Sequence, residues 1–170
     1  MVNRDVRKVS NPQSFQKLCG FNYVLSRKML KKERVMMKIM TVAAAVLQNR
    51  NGCVLLTRRP DNKPYPGLYE FPGGKIEVGE RPEEALQREL FEELHLFVPI
   101  DSMKPLTFVS YTYPQYHVIL LLYLIRQWTG EMLMKENQKG YIWTNVGSLD
   151  TLPPLLPANE GLLETLQKYL

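Results

Sequence analysis

Apolar runs along this chain are separated by clusters of Gly, Pro, Asn and Asp, and the clusters mark out its elements. From Ile39 to Leu47 only Thr41 interrupts the apolar run IMTVAAAVL, which ends at Gln48. The turn cluster QNRNG follows, and CVLLTRR resumes a strand, so the two runs together predict a β-hairpin. PDNKPYPG, Pro60 to Gly67, reads as a loop, LYEF as a short strand, and PGGKIEVGERP as a glycine-rich loop. Pro82 to Leu94 carries a helical pattern. PLTFVSYTYP and YHVILLLYLIRQW predict two strands around a turn at Pro114, and YIWTNV a last strand. Leu162 to Leu170 reads as a C-terminal helix with Leu162, Leu163, Leu166 and Leu170 on one side. Mixed strands with two helices imply a layered α/β domain from about Met37 to Leu170.

On the helix beginning at Pro82, Leu86, Leu90 and Leu94 form one apolar stripe about 80° wide. Glu89 and Glu93 fall directly beside that stripe, and Glu92 follows on the same flank. Glu89 and Glu93 are spaced i,i+4, where like charges repel. Arg88, on the far side, is spaced to brace Glu84 or Glu92. Pro82 suits the first helical position, and Glu83 and Glu84 suit the first turn. Arg81 is a weak N-cap, because its side chain offers no acceptor.

Composition narrows the class. The chain has 170 residues, 45% hydrophobic and 23% charged, enough for one globular domain with a real core. No apolar run reaches the roughly 18 residues of a membrane span. The net charge of +5 is uneven. Met1 to Met36 holds 9 Lys and Arg against 2 Asp and Glu, and the remainder holds 13 against 15. The basic balance belongs to this N-terminal extension, so it does not argue for nucleic-acid binding by the body. The extension lacks the apolar core and cleavage site of a secretory signal. It is expected to be a loosely held arm, a lineage extension, or sequence upstream of a natural start at Met37. Cys19 and Cys53 form no metal or redox motif and read as reduced, buried thiols of a cytoplasmic protein.

Three acids converging with only one arginine nearby differ from the interleaved charges of a solvated helix. A divalent cation would relieve the repulsion, and hard cations take oxygen ligands and share phosphate oxygens with a substrate. The glycine-rich loop before the helix brings backbone close to such a site. Loop and helix together point to metal-assisted chemistry on a phosphate compound.

These residues resemble the Nudix box, G-x5-E-x7-R-E-U-x-E-E-x-G-U with U apolar. Gly74, Glu80, Arg88, Glu89, Leu90, Glu92, Glu93 and Leu96 occupy eight of its nine fixed positions, and His95 stands where the ninth calls for Gly. A Gly there suits a left-handed helix end, so the departure bears on the loop leaving the helix rather than on the carboxylates. The resemblance implies the Nudix fold, an α/β/α sandwich around a mixed β-sheet, with Mg²⁺ or Mn²⁺ as cofactor. MKIMTVAAAVL, LTRRP, EFPGGKIEVGE and LPPLLPANEGLLETL extend the likeness to the MutT-like subgroup over the whole body. That subgroup converts 8-oxo-dGTP to 8-oxo-dGMP and pyrophosphate.

Roles implied by the resemblance follow the matching positions. Glu92, Glu93 and the Gly73 carbonyl would ligate metal. Glu89 would be the general base or a further ligand, Arg88 would orient it, and Glu136 would contact the metal. Gly74 and Glu80 would support the loop. Arg59, Glu70, Phe71, Pro72, Gly73 and Asn159 would contact the nucleotide, Phe71 lining the base pocket and Asn159 bonding the purine edge. Pro64 stands where some relatives carry a His. From the residues alone, Asn159 reads equally as a turn residue or a cap for the last helix, Phe71 as core, and Lys75 as a surface charge or a phosphate contact. The expected partner is a nucleoside triphosphate, with no stable nucleic acid, no membrane and a monomeric state. The alternatives are a CTP or modified-cytidine triphosphate pyrophosphohydrolase and a non-catalytic nucleotide- or RNA-binding module. Tyr111, Tyr113 and Pro114 stand downstream of the box, where some subgroups carry diagnostic residues, and a third alternative is an enzyme for dinucleotide or sugar-nucleotide substrates.

Overall fold

The computed structural model describes residues 37–133, 140–145, 147 and 152–170. Expectations for Met1 to Met36, Cys19 and Glu136 lie outside the described residues. Among those described, the elements in order are β1 (Lys38–Leu47), β2 (Val54–Arg58), β3 (Tyr69–Glu70), β4 (Gly73–Lys75), α1 (Pro82–Leu94), β5 (Lys104–Thr112), β6 (Tyr116–Ile125), β7 (Tyr141–Thr144), α2 (Pro157–Glu160) and α3 (Leu163–Tyr169).

β1 is paired on both edges. It runs parallel to β6 from Lys38 opposite Tyr116 to Leu47 opposite Ile125, and antiparallel to β4. With β5 antiparallel to β6, the sheet order is β4-β1-β6-β5, a mixed sheet. A second sheet has the order β3-β2-β7. Alternation along β1 then builds two cores. Ala43, Ala45 and Leu47 pack with Leu86, Leu90 and Leu94 of α1 on one face, while Ala44 and Val46 pack with Leu162 and Leu166 on the other. A strand buried on both faces reads as a continuous apolar run. This is the expected α/β/α sandwich around a mixed sheet.

The hairpin expectation fails. β1 and β2 lie in different sheets, and the bridge between Gln48 and Val54 takes the place of a ladder between them. Both edges of β1 are already taken by β4 and β6, so β2 has no ladder left to join. The glycine-rich loop also proves partly a strand, β4. Gly73 (φ +148°) lies so close to β1 that a Cβ there would collide with the Ala43 carbonyl. The missing side chain permits that pairing. Cys53 is half-buried and free rather than buried. The C-terminal segment divides into α2 and α3. Leu162 and Leu166 are buried, but Leu170 is 37% exposed.

Helix α1 has the predicted limits and buries Ala85 with its Leu stripe. Glu84 compensates for the weak cap, its carboxylate accepting from the Arg81 backbone N–H at 2.9 Å. At the other end His95 adopts φ 57°, ψ 26°, with its N–H donating to the Phe91 carbonyl at 3.0 Å. A side chain in the left-handed region strains the backbone. Replacing His95 with Gly is therefore expected to raise unfolding stability by about 1 kcal/mol in urea titrations. An unchanged or lower midpoint would show that the imidazole contributes a compensating contact.

Candidate active site

A cavity of about 540 Å³ opens on the face of the mixed sheet that carries the C-terminal helices. Its apolar wall comes from alternate residues of two paired strands. Val42 and Ala44 of β1 stand beside Val118 and Leu120 of β6, with Phe71 from the end of β3. Its polar end is Gly73, Gly74, Lys75, Glu89 and Glu93. Helix α1 packs on the opposite face of the sheet, so its carboxylates must cross the β4 edge to reach the cavity. Gly74 makes the crossing possible, because a Cβ there would occupy the place of the Glu89 carboxyl group.

Arg88 fixes the crossing. Its Nε and Nη2 donate to the two oxygens of Glu80, each at 2.9 Å, and Nη1 donates to Glu89 Oε1 at 2.8 Å. Nη2 also donates to the Lys75 carbonyl at 3.2 Å, and Glu80 accepts from the Glu77 N–H at 3.0 Å. One guanidinium thus ties the loop from Lys75 to Glu80 onto α1, using the two-pronged geometry that suits arginine to carboxylates. The sequence spacing pointed to Glu84 or Glu92 as the partner. Glu84 instead caps the helix, while Glu92 does form an ion pair with Arg88, its Oε1 3.9 Å from Nη1. The hydrogen bonds from Arg88, then that from Glu77, hold the Glu80 carboxyl below its ordinary range. The hydrogen bonds to Glu80 and Glu89 raise Arg88 further still.

The donors at the polar end are all oxygens, which suits a hard divalent cation. Glu89 and Glu93 line the cavity, with side chains 18% and 16% exposed. Glu92 is 48% exposed and outside the cavity wall. Among the described residues no three acidic, imidazole or thiol side chains form a closed metal cage. Mg²⁺ ordinarily takes one or two carboxylates plus waters and substrate phosphates. Two carboxylates beside a close-packed glycine backbone therefore fit such an ion. Lys63 Nζ lies 4.0 Å from Glu93, contributing a cation to the same end.

The other end holds Asn159. It sits in the single turn α2 and is 4% exposed, and its Oδ1 accepts from the Phe71 N–H at 3.1 Å. It does not cap α3, whose N-cap is Leu162. Phe71 is both core and cavity wall. Arg59 lines the cavity but is engaged, with Nη1 on Glu70 at 2.5 Å and Nε on the Pro64 carbonyl at 2.9 Å. Burial pushes the Glu70 carboxyl up against the opposing pull of Arg59. Pro72 is buried outside the cavity wall, its carbonyl accepting from the Ala45 N–H at 2.8 Å.

Two aromatic wall residues were not expected there: Tyr116, which the sequence did not single out, and Tyr113, which it marked only by its place downstream of the box. Their rings pack with centroids 4.9 Å apart, and Tyr113 Oη accepts from the Ala158 N–H at 3.3 Å. Burial pushes the Tyr113 phenol up to about 12. The period-two alternation of β6 put Tyr116 on the face of Val118 and Leu120. Which face carried the cavity was not written in the strand.

The NUDIX domain family matches residues 37–166. The 8-oxo-dGTP diphosphatase of Escherichia coli strain K12 is 36% identical over 133 residues, covering 78% of this chain and 99% of that protein. That of Haemophilus influenzae is 36% identical, over 76% of this chain and 92% of the relative. A MutT NUDIX hydrolase crystal structure from Burkholderia pseudomallei superposes with a TM-score of 0.67 at 28% identity, covering 76% and 98% of the two chains.

The Arg88 brace carries a pH signature. Glu80 has a folded pKa below its ordinary value of 4.5, so its contribution is complete above that value and fades as pH falls through the lowered one. Urea unfolding between pH 6 and pH 3 is expected to show a steeper acid loss for the wild type than for Glu80→Gln. Parallel curves would remove Glu80 from the brace.

Proposed function

The chain belongs to the Nudix family and is a Nudix hydrolase acting on nucleotides, and from that premise we propose that it cleaves nucleoside triphosphates to monophosphate and pyrophosphate, 8-oxo-dGTP foremost. Nudix hydrolases work with a divalent metal ion, and Mg²⁺ is the proposed ion here. The observation that carries the reading is the two-ended cavity, with an apolar pocket holding a buried amide at one end and carboxylates crossing the β4 edge at the other. A base and its polyphosphate need those two environments together. The name of the Escherichia coli relative supports the choice of oxidised guanine.

Each side chain then has a role. With Asn159 Oδ1 accepting from Phe71, the amide Nδ2 remains to donate. A donor there fits the O6 carbonyl of a guanine-type base and opposes the amino group of adenine. Phe71, Tyr113 and Tyr116 supply the apolar walls. Glu89 takes the proton of the water that attacks the β-phosphorus, and Arg88 keeps its carboxylate aimed. Glu93, the Gly73 carbonyl and, from beyond the cavity wall, Glu92 would hold the metal, which would lower the pKa of water and neutralise phosphate charge. Arg59 acts through Glu70 and the Pro64 carbonyl, holding the loop that borders the cavity. The protein is proposed to work as a cytoplasmic monomer without a nucleic-acid partner. Among the described residues no helix is long and apolar enough to cross a membrane.

Pyrophosphate release should be measured over 8-oxo-dGTP, dGTP, dATP and CTP with Mg²⁺. The highest kcat/KM is expected for 8-oxo-dGTP, and no release from any of the four would refute the proposal. Glu93→Gln and Glu89→Gln are each expected to lower kcat by about 10²–10⁴-fold with the fold intact by circular dichroism. Near-normal turnover in either variant would remove that residue from the reaction. Asn159→Leu should narrow the preference for guanine-type bases over dATP and CTP. An unchanged kcat/KM ratio would place base selection elsewhere in the cavity.

A further inference from the structure

A second hollow, of about 390 Å³, lies where β1 and β6 end, and it shares no residue with the catalytic cavity. Because Leu47 pairs with Ile125 in parallel register, Gln48 and Arg126 emerge side by side. Gln48 is 7% exposed, and both halves of its amide are used. Its Oε1 accepts from Arg126 Nε at 2.7 Å, and its Nε2 donates to the Gly52 carbonyl at 3.3 Å. One buried glutamine therefore positions both Arg126 and the turn that carries Asn49 and Arg50. Held through Nε, Arg126 keeps its two terminal nitrogens without a hydrogen bond among the described residues.

The remaining lining is rich in donors. Arg50 adds a second guanidinium, and among the described residues no carboxylate lines the hollow. Asn49 Oδ1 already accepts from the N–H groups of Asn51 and Cys53 at 2.9 and 3.1 Å, which leaves its amide nitrogen as the free end. Trp128 forms a wall and is itself steadied by stacking on Trp143, with centroids 6.2 Å apart and planes 19° from parallel. Two guanidinium groups without an acid, one of them pre-positioned by a buried amide, match the oxygens of a phosphate, and arginine engages these in paired hydrogen bonds.

We propose that this hollow is a second binding site, for a small phosphate-bearing anion held by Arg126 and Arg50 beside Trp128. The proposal does not depend on the substrate assigned to the catalytic cavity. The phosphate can be free inorganic phosphate or pyrophosphate, or the monophosphate of a nucleotide whose base meets the indole.

The full chain, labelled with ¹⁵N, should be titrated without divalent metal with inorganic phosphate, pyrophosphate and dGMP, with chloride at matched ionic strength as control. The Trp128 indole N–H and Arg126 Nε–H signals are expected to move saturably with phosphate compounds and not with chloride. Arg126→Gln and Arg50→Gln, both exposed changes, should each weaken that binding by about tenfold or more while leaving turnover of the nucleotide substrate unchanged. Tighter binding of dGMP than of phosphate and pyrophosphate would identify the nucleotide as the occupant, and the reverse order would identify the free anion. Failure of all three compounds to shift these signals saturably, or shifts that survive both substitutions at full affinity, would overturn the site.

Discussion

Arg88 sets the geometry on which the rest of the catalytic end depends. Its guanidinium grips Glu80 with two hydrogen bonds and Glu89 with a third, joining the loop that precedes the helix to the helix itself. Arg88 gives the Glu89 carboxylate a fixed direction, so it is ordered before any ligand arrives. Such ordering lets a site act without reorganising during the reaction.

The brace works only because small residues let the layers approach. Gly74 leaves room for the Glu89 carboxyl group, Gly73 lets β4 lie against β1, and the run Ala43, Ala44, Ala45 places small side chains under both α1 and the C-terminal helices. Larger side chains at these places would push apart groups that need to converge, since interiors are packed to near-crystalline density. The same strand thus serves both cores and sets the spacing between the carboxylates of one layer and the apolar cavity of the other.

A division of labour runs along the cavity. Charge gathers at the β4 edge, where α1 reaches across, and apolar wall with one amide lies toward α2. Arg59 shows how context redirects a residue. By type it suits a phosphate contact, yet Glu70 and the Pro64 carbonyl claim its guanidinium, turning it into a support for the bordering loop. Tyr65 of that loop, held at φ 61°, packs its ring 5.4 Å from that of Tyr113 and so ties the loop to the wall.

The sequence by itself determined helix α1 from Pro82 to Leu94, its Leu stripe and the acids beside it. Each follows from spacing on a single helix, where neighbours in space are three or four residues apart. It also determined the strands of β5 and β6 and the turn between them. Only the tertiary structure decided that β1 pairs with β4 and β6 rather than with β2, because strand pairing is a competition for edges that no one segment records. The same holds for the choice of Glu80 as the partner of Arg88, the engagement of Arg59 by Glu70, and the contact between Asn159 and Phe71, 88 positions apart in sequence. Those contacts join residues that chain spacing leaves unrelated, and packing of the layers is what brings them within reach.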